Sequence, residues 1–193
     1  MGYGDALSQA ETKLKSLQTE TVCRQSGARY ENGSYFIKWF NSEKNLSAAS
    51  DSQKILWMHY ITAGGANLTS RLIAYREAAP ALFYEPNFYK RAVRPLVKCF
   101  GDKPDELIRI GKILGGEEEC FGDASVKINV LPYLPIVFIV WRGDEEFGPD
   151  GNILFDQSAK IKLCPEDLSV VAGAAVYEII NTYKKNKEGQ HGS

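Results

Sequence analysis

The acidic residues that follow the most apolar run of the chain are the first candidates for chemistry. Residues 141–156 read WRGDEEFGPDGNILFD and carry Asp144, Glu145, Glu146, Asp150 and Asp156. Carboxylate oxygens are the ligands that hard cations prefer, and a carboxylate pair can act as general acid and base when a cleft sets its separation. The segment is equally typical of turns, because Gly143 and the GPDGN sequence favour them. We predict an ordered loop over residues 142–156 in which Asp156 caps nearby amides and only a minority of the acids meets a ligand.

A calcium loop of the EF-hand type is excluded by the spacing of these residues. If Glu146 takes the first position, the twelfth position falls on Gln157, where a bidentate glutamate is required. No metal site is therefore predicted from the sequence.

His59 is the second candidate, because the other histidine, His191, lies in the polar C-terminal tail. Its neighbours Leu56, Trp57, Met58 and Tyr60 are apolar, so we expect the imidazole to be at least partly buried. An imidazole at such a position can ligate a metal or a tetrapyrrole, or it can act as an acid–base group. A core histidine bonded to a carbonyl or carboxylate is the commoner outcome, and both interpretations stay open.

The composition excludes a strong electrostatic partner. The chain has 193 residues, and 23 basic against 24 acidic side chains give a net charge of −1. Nucleic acid is therefore not an expected partner, since no basic field is available to displace counterions. A local basic group is interpreted as the solvated face of a helix; it comprises Lys90, Arg91, Arg94 and Lys98.

The sequence also predicts a cytoplasmic location with reduced thiols. No apolar signal segment opens the chain, and its longest apolar run, residues 136–141, is too short to span a bilayer. Cys23, Cys99, Cys120 and Cys164 contain no CxxC pair. We therefore predict four free thiols, mostly buried, with no disulfide and no four-cysteine cluster.

Periodicity and turn signals predict an α+β fold in which an antiparallel sheet with a central hairpin over 126–141 packs against several helices. Strands 126–131 and 136–141 are joined only by PYLP, so they must be antiparallel neighbours. Asn32-Gly33 predicts a second hairpin, and residues 159–163 alternate like another strand. The helices predicted from apolar spacing cover residues 5–22, 51–63, 86–100 with a break at Pro95, 104–114, and 165 to about 184. The expected organisation is one domain over 1–187 and a disordered tail over 188–193.

Residues 122–168, GDASVKINVLPYLPIVFIVWRGDEEFGPDGNILFDQSAKIKLCPEDL, resemble the signature half of the domain of unknown function family 3786. The KILWMHYITAGG and FYKRAVRPLVKCFG segments resemble the same family. The resemblance implies a protein of anaerobic bacteria or archaea, where some members carry an iron–sulfur domain similar to that of corrinoid iron–sulfur proteins. This chain lacks the clustered cysteines of that domain. The recognisable motifs contain His59, Asp144, Glu145, Glu146, Asp156, Glu166 and Asp167.

Two functional hypotheses follow. The preferred one is an accessory or ligand-binding module linked to anaerobic redox or one-carbon metabolism, whose partner is a corrinoid, another tetrapyrrole or a protein. Its candidate ligand-binding residues are His59, Asp144, Glu145, Glu146 and Asp156. The alternative is an enzyme that uses His59 with carboxylates of the 144–156 loop, assisted by a divalent metal. Neither hypothesis involves a membrane or nucleic acid.

Overall fold

The computed structural model describes residues 3–78 and 84–191. The first part of the chain forms α1 (Tyr3–Lys15), α2 (Thr19–Ser26), β1 (Arg29–Glu31), β2 (Ser34–Trp39), β3 (Ser42–Asn45) and α3 (Asp51–Thr62). The middle forms β4 (Leu72–Ala74), α4 (Tyr75–Ala78), α5 (Glu85–Phe88), a π-helical turn (Tyr89–Val93), α6 (Arg94–Phe100) and α7 (Pro104–Ile113). The last part forms β5 (Glu117–Glu119), β6 (Ala124–Leu131), β7 (Leu134–Trp141), β8 (Asp150–Asp156), α8 (Ala159–Lys162) and α9 (Pro165–His191).

A five-stranded sheet in the order β4-β8-β7-β6-β5 forms the centre of the fold, and all of its strand pairs are antiparallel. The predicted hairpin is confirmed as β6 and β7, which turn at Pro132 and Tyr133 and pair Leu131 with Leu134. Strand β7 is buried from Leu134 to Val140, as expected for a central strand with apolar side chains on both faces. The fold is α+β, as the sequence predicts.

Helices cover the face of the sheet that carries Val126, Phe138 and Phe155. Helix α7 lies closest to β6: a Cβ atom on Gly111 would be 2.9 Å from the Cβ atom of Val126, so only glycine permits this approach. Helix α9 packs mainly against α3, α5, α6, α7 and the π-helical turn. Its buried stripe joins the same hydrophobic core as the strands and comprises Leu168, Val171, Ala172, Ala175, Val176 and Ile179.

A smaller three-stranded sheet, β1-β2-β3, lies beside the main one. Asn32 and Gly33 adopt φ angles of 49° and 80°, so the predicted hairpin turn is present between β1 and β2. The two sheets are tied by the backbone N–H of Phe40, which donates to the carbonyl of Val130 at 3.0 Å.

Several predicted boundaries are corrected by the structure. The helix expected over 5–22 is two helices, α1 and α2, separated at residues 16–18. Residues 159–162 form the short helix α8 instead of a strand, because the N–H groups of Ile161 and Leu163 donate to the carbonyls of Ser158 and Ala159 and close a helical turn. The acidic loop is shorter than expected, since β8 already begins at Asp150. Helix α9 continues to His191, beyond the end at about residue 184 that the sequence predicts.

The helix predicted over 86–100 is divided, as its proline suggests. The π-helical turn Tyr89–Val93 lies directly before Pro95, which has no N–H to continue the helical ladder. Lys90, Arg91, Arg94 and Lys98 are exposed, which agrees with a solvated basic face. None of the described helices has the length and apolar character needed to cross a membrane.

Candidate functional site

His59 and Asp167 meet where helix α3 passes the first turn of α9. The Nδ1 atom of His59 lies 2.9 Å from Oδ2 and 3.1 Å from Oδ1 of Asp167. The His59 side chain is 37% exposed and that of Asp167 is 13% exposed. The structure therefore brings together two motif residues that are 108 positions apart in the chain.

The carboxylate determines which ring nitrogen of His59 carries the proton. An ionised carboxylate can only accept hydrogen bonds, so Nδ1 must be the donor whether the imidazole is neutral or charged. The proton that titrates is therefore the one on Nε2. No other hydrogen bond to the His59 ring is formed by the described residues. Nε2 is accordingly the atom of this pair that can meet a ligand or exchange a proton.

The start of α9 is held in place by Cys164 and Tyr75. The Cys164 thiol donates to Oδ2 of Asp167 at 3.1 Å, and the Asp167 backbone N–H donates back to the sulfur at 3.5 Å. This reciprocal pair resembles a capping box with cysteine in the place of serine. The Tyr75 hydroxyl donates to the Pro165 carbonyl at 2.8 Å, and its ring stacks on Phe88 with centroids 4.0 Å apart. Asp167 is therefore oriented by Cys164 as well as by His59.

The electrostatics of the site favour a protonated His59. The hydrogen bond and negative charge of Asp167 raise the pKa of His59 above 6.5, although burial of the ring and the charge of Lys13 oppose this. Partial desolvation of the sulfur raises the pKa of the Cys164 thiol, although the residue as a whole is exposed, so this cysteine is a neutral hydrogen-bond donor instead of a thiolate. Burial also raises the pKa of Tyr75 to about 12. His59 is thus the basic group of this cluster, and Asp167 holds its pKa above the ordinary histidine value.

The acidic loop between β7 and β8 is organised by its own backbone. Oδ1 of Asp144 accepts the N–H groups of Glu146 at 2.8 Å and Phe147 at 2.7 Å, and these bonds lower its pKa. Asp123 similarly accepts the N–H of Arg142 at 2.7 Å. Glu145 and Glu146 are exposed and make no side-chain hydrogen bond or ion pair with the described residues. The structure pairs His59 with Asp167, and it gives none of the loop acids a contact with that ring.

Asp156 is 2% exposed and its carboxylate is used by the fold. It accepts the N–H of Ser70 at 2.7 Å, that of Ser158 at 2.9 Å, and both the N–H and the hydroxyl of Thr69 at 3.1 Å. Burial alone would raise its pKa, but these hydrogen bonds lower it. The prediction that Asp156 caps nearby amides is confirmed, and both oxygens of its carboxylate take part in these hydrogen bonds.

Within residues 3–78 and 84–191, no three His, Cys, Asp or Glu residues form a group that could hold a metal ion. All four cysteines are free thiols. The expectation that they are mostly buried is wrong, because Cys120 and Cys164 are exposed, at the β5–β6 connection and at the start of α9.

Sequence reasoning identified His59 but not its partner. The CPED segment contains the signal for the Cys164–Asp167 contact, since a small capping residue three positions before an acid is typical of a capping box. The pairing of His59 with Asp167 depends on how α3 packs across α9, and this packing cannot be predicted from local sequence patterns.

Comparison with known proteins gives one match. A family model described as a domain of unknown function, DUF3786, matches residues 18–178, a range that includes His59, the acidic loop and Asp167. No curated protein and no solved structure matches the chain. Since the matched range covers most of its length, the chain belongs to the DUF3786 family of domains of unknown function.

Proposed function

We propose that this chain is a cytoplasmic ligand-binding module whose ligand is held by Nε2 of His59, and that the ligand is a metal-bearing tetrapyrrole of the corrinoid kind. The observation that carries the proposal is the double contact of His59 Nδ1 with Asp167, which leaves Nε2 as the available ring atom. Histidines that ligate metals commonly donate their other ring N–H to a carboxylate, which orients the ring and makes it a stronger donor.

The donor set fits this ligand class better than a free metal ion. A bare cation needs several protein ligands, and the described residues do not provide a group of three. A tetrapyrrole supplies four nitrogen ligands to its metal, so the protein would need to add only one, the imidazole of His59. When bound, such a group would supply redox or methyl-transfer chemistry. This is the basis for an accessory role in anaerobic redox or one-carbon metabolism, alongside a partner protein.

The His59–Asp167 pair should make binding of the metal-bearing ligand depend on pH. A metal requires the neutral imidazole, whereas Asp167 favours the protonated one by raising the pKa of His59. Binding should therefore strengthen as the pH rises through that pKa.

The test is an absorption titration of the purified protein with diaquocobinamide, which has exchangeable axial positions. We expect the wild type to shift the cobinamide spectrum to that of an imidazole adduct, and His59→Ala to remove this shift. The matched control is His191→Ala, which removes the other histidine of the chain and should behave like the wild type. An unchanged wild-type spectrum, or a shift that His191→Ala removes and His59→Ala does not, would refute the proposal.

A second function, general acid–base catalysis, is favoured by the raised pKa of His59. With Nδ1 held by Asp167, Nε2 can take or give a proton, which is the arrangement of a histidine base with a carboxylate that orients it. In this second function the carboxylate that acts with His59 is Asp167, whereas the sequence suggested the carboxylates of the 144–156 loop. Acylation of His59 by diethyl pyrocarbonate, combined with no cobinamide adduct, would support this second function over the first.

A further inference from the structure

A cavity of about 480 Å³ opens between the N-terminal helices, the small sheet and α3. Helix α1 and the start of α2 form one wall, and the β1–β2 hairpin forms another. A short helical turn (Leu46–Ala48) and α3 form the remaining sides. The volume lies within the range of about 300–1,000 Å³ that is usual for small-molecule sites. Neither His59 nor Asp167 lines this cavity, so it is separate from the site described above.

The buried part of the cavity lining is apolar. Met58 and Leu46 belong to the hydrophobic core and are 2% and 8% exposed, and both line the cavity. The rings of Tyr30 and Tyr35 lie against each other beside them, with centroids 4.7 Å apart and planes inclined at 56°. Tyr30 is 45% exposed. An aromatic ring bound here would contact tyrosine rings and the Met58 thioether, which are favourable partners for it.

The charged part of the lining has an excess of positive charge. It consists of Lys15, Lys54 and Glu11, which are two positive groups and one negative group. The Lys54 side chain is 27% exposed, and the carboxylate of Asp51 is 3.8 Å from its Nζ atom, beyond hydrogen-bond distance. Lys15 forms no ion pair within the described part of the chain. Both lysine side chains line the cavity, so their flexible stems let the ammonium groups meet an anion bound there.

Two serines of the lining add a hydrogen-bond donor. The hydroxyl oxygens of Ser34 and Ser47 lie 3.0 Å apart, so one hydroxyl donates to the other. The pair therefore retains one O–H proton that no described residue accepts. An anionic oxygen is the strongest kind of acceptor for such a proton.

We propose that this cavity binds an aromatic organic anion, whose ring system occupies the apolar part and whose charged oxygen group meets Lys54 and Lys15. Contact of the ring with Met58 and the two tyrosines removes apolar surface from water, which is the dominant favourable contribution to such binding. The two ammonium groups add an attraction that a neutral ring system does not experience. The inference uses none of the residues of the His59 site and holds whether or not that site binds a tetrapyrrole.

The test uses two fluorescent probes that differ by one charged group. Anilinonaphthalene sulfonate combines an aromatic ring system with an anion, and N-phenylnaphthylamine is the same ring system without the sulfonate. The Kd of each probe is measured by fluorescence titration of the folded protein. We expect the sulfonate to bind the wild type at this cavity, and sodium chloride to weaken its binding more than that of the neutral probe.

Charge variants test the role of the lysines. Lys54→Met should weaken binding of the sulfonate by about tenfold, and Lys15→Met, which removes an exposed charge, by about threefold. Glu11→Gln should strengthen it, because this change removes the negative charge of the lining. Lys13→Met is the matched control, since Lys13 is an exposed lysine of α1 that does not line the cavity. The Kd of the neutral probe should be unchanged in all four variants, which also shows that they are folded.

Tyr30→Ala tests the ring contact separately, because it truncates a half-exposed side chain outside the hydrophobic core. It should weaken binding of both probes by about fivefold. Tyr177→Ala, which removes an exposed tyrosine of α9, should behave like the wild type. The proposal is wrong if the sulfonate does not bind the wild type, if Lys54→Met binds it as tightly as Lys13→Met, or if Tyr177→Ala loses as much affinity as Tyr30→Ala.

Discussion

Burial lowers the pKa of both His59 and Lys162, yet their pKa values shift in opposite directions, and the difference is a single carboxylate. His59 is half-buried beside Asp167, so its hydrogen bond and charge outweigh the cost of burial and its pKa rises. Lys162 is buried beside a carbonyl and two phenol rings, none of them charged, so its pKa falls. The fold thus stabilises one buried cation and leaves the other without a counter-ion.

The His59–Asp167 pair should make stability depend on pH in a definite direction. The pKa of His59 is raised above the 6.5 of an ordinary histidine, so the folded protein binds the imidazole proton more tightly than the unfolded chain does. The resulting stabilisation is fully present below pH 6.5 and is lost as the pH rises through the raised pKa. Asp167→Asn should therefore lower the free energy of unfolding more at about pH 5.5 than at about pH 9. Urea unfolding at the two pH values measures this difference.

Glu166→Gln is the matched control, since it removes the neighbouring charge without touching the hydrogen bond to His59. The negative charge of Glu166 also raises the pKa of His59, but it contributes least among the causes. The pH-dependent loss of stability should therefore be smaller for Glu166→Gln than for Asp167→Asn. An equal loss in Asp167→Asn at both pH values would show that the pair stabilises the fold only as a neutral hydrogen bond.

At the scale of elements, Asp156 joins three parts of the chain. It ends strand β8 and accepts hydrogen bonds from Thr69 and Ser70, before strand β4, and from Ser158, before helix α8. Asp156→Ala should leave these N–H groups without their acceptor, that of the buried Ser158 in particular, and lower the free energy of unfolding by about 1–2 kcal/mol. Urea unfolding near neutral pH measures this loss.

Glu145→Gln provides the comparison for Asp156, because Glu145 is exposed on the same connection and has no ion pair within the described residues. This change should alter stability by less than about 0.5 kcal/mol. If a divalent cation stabilised the wild type and Glu145→Gln abolished that gain, the acidic loop would be a cation site and our structural interpretation of it would fail.

The elements that the sequence predicts well are those with a strong local signal. The β6–β7 hairpin combines alternation, an unbroken apolar run and a short proline-containing link, and all three indicate one structure. Residues 159–163 have only alternation, which placed Lys160 and Lys162 on the same face of a supposed strand. In helix α8, residues two apart point about 200° from each other. Lys160 is therefore exposed while Lys162 is buried, and the error in the element concealed this difference.

For the molecule as a whole, candidate functional residues can be selected from the sequence more easily than the contacts between them can be predicted. His59 could be selected as a candidate because a histidine among apolar residues is unusual, but Asp167 could not be assigned as its partner. Their contact is set by the packing of α3 against α9, which depends on the entire core between them. The same limit applies to Lys162, whose surroundings come from α3 and the β6–β7 turn.

The shared core predicts that the two sheets unfold together. Trp39 of the small sheet packs against Trp57 of α3 with ring centroids 6.2 Å apart, and both belong to the hydrophobic cluster that contains Phe138 of the main sheet. The hydrogen bond from Phe40 to Val130 adds a backbone link between the sheets. In Trp141→Phe, which removes the exposed tryptophan at the end of β7, fluorescence reports only Trp39 and Trp57. Its urea transition should coincide in midpoint and steepness with the transition of the whole chain followed by far-ultraviolet circular dichroism, as expected for one cooperative domain. A fluorescence transition that precedes the loss of ellipticity would show that the small sheet and α3 unfold as a separate unit.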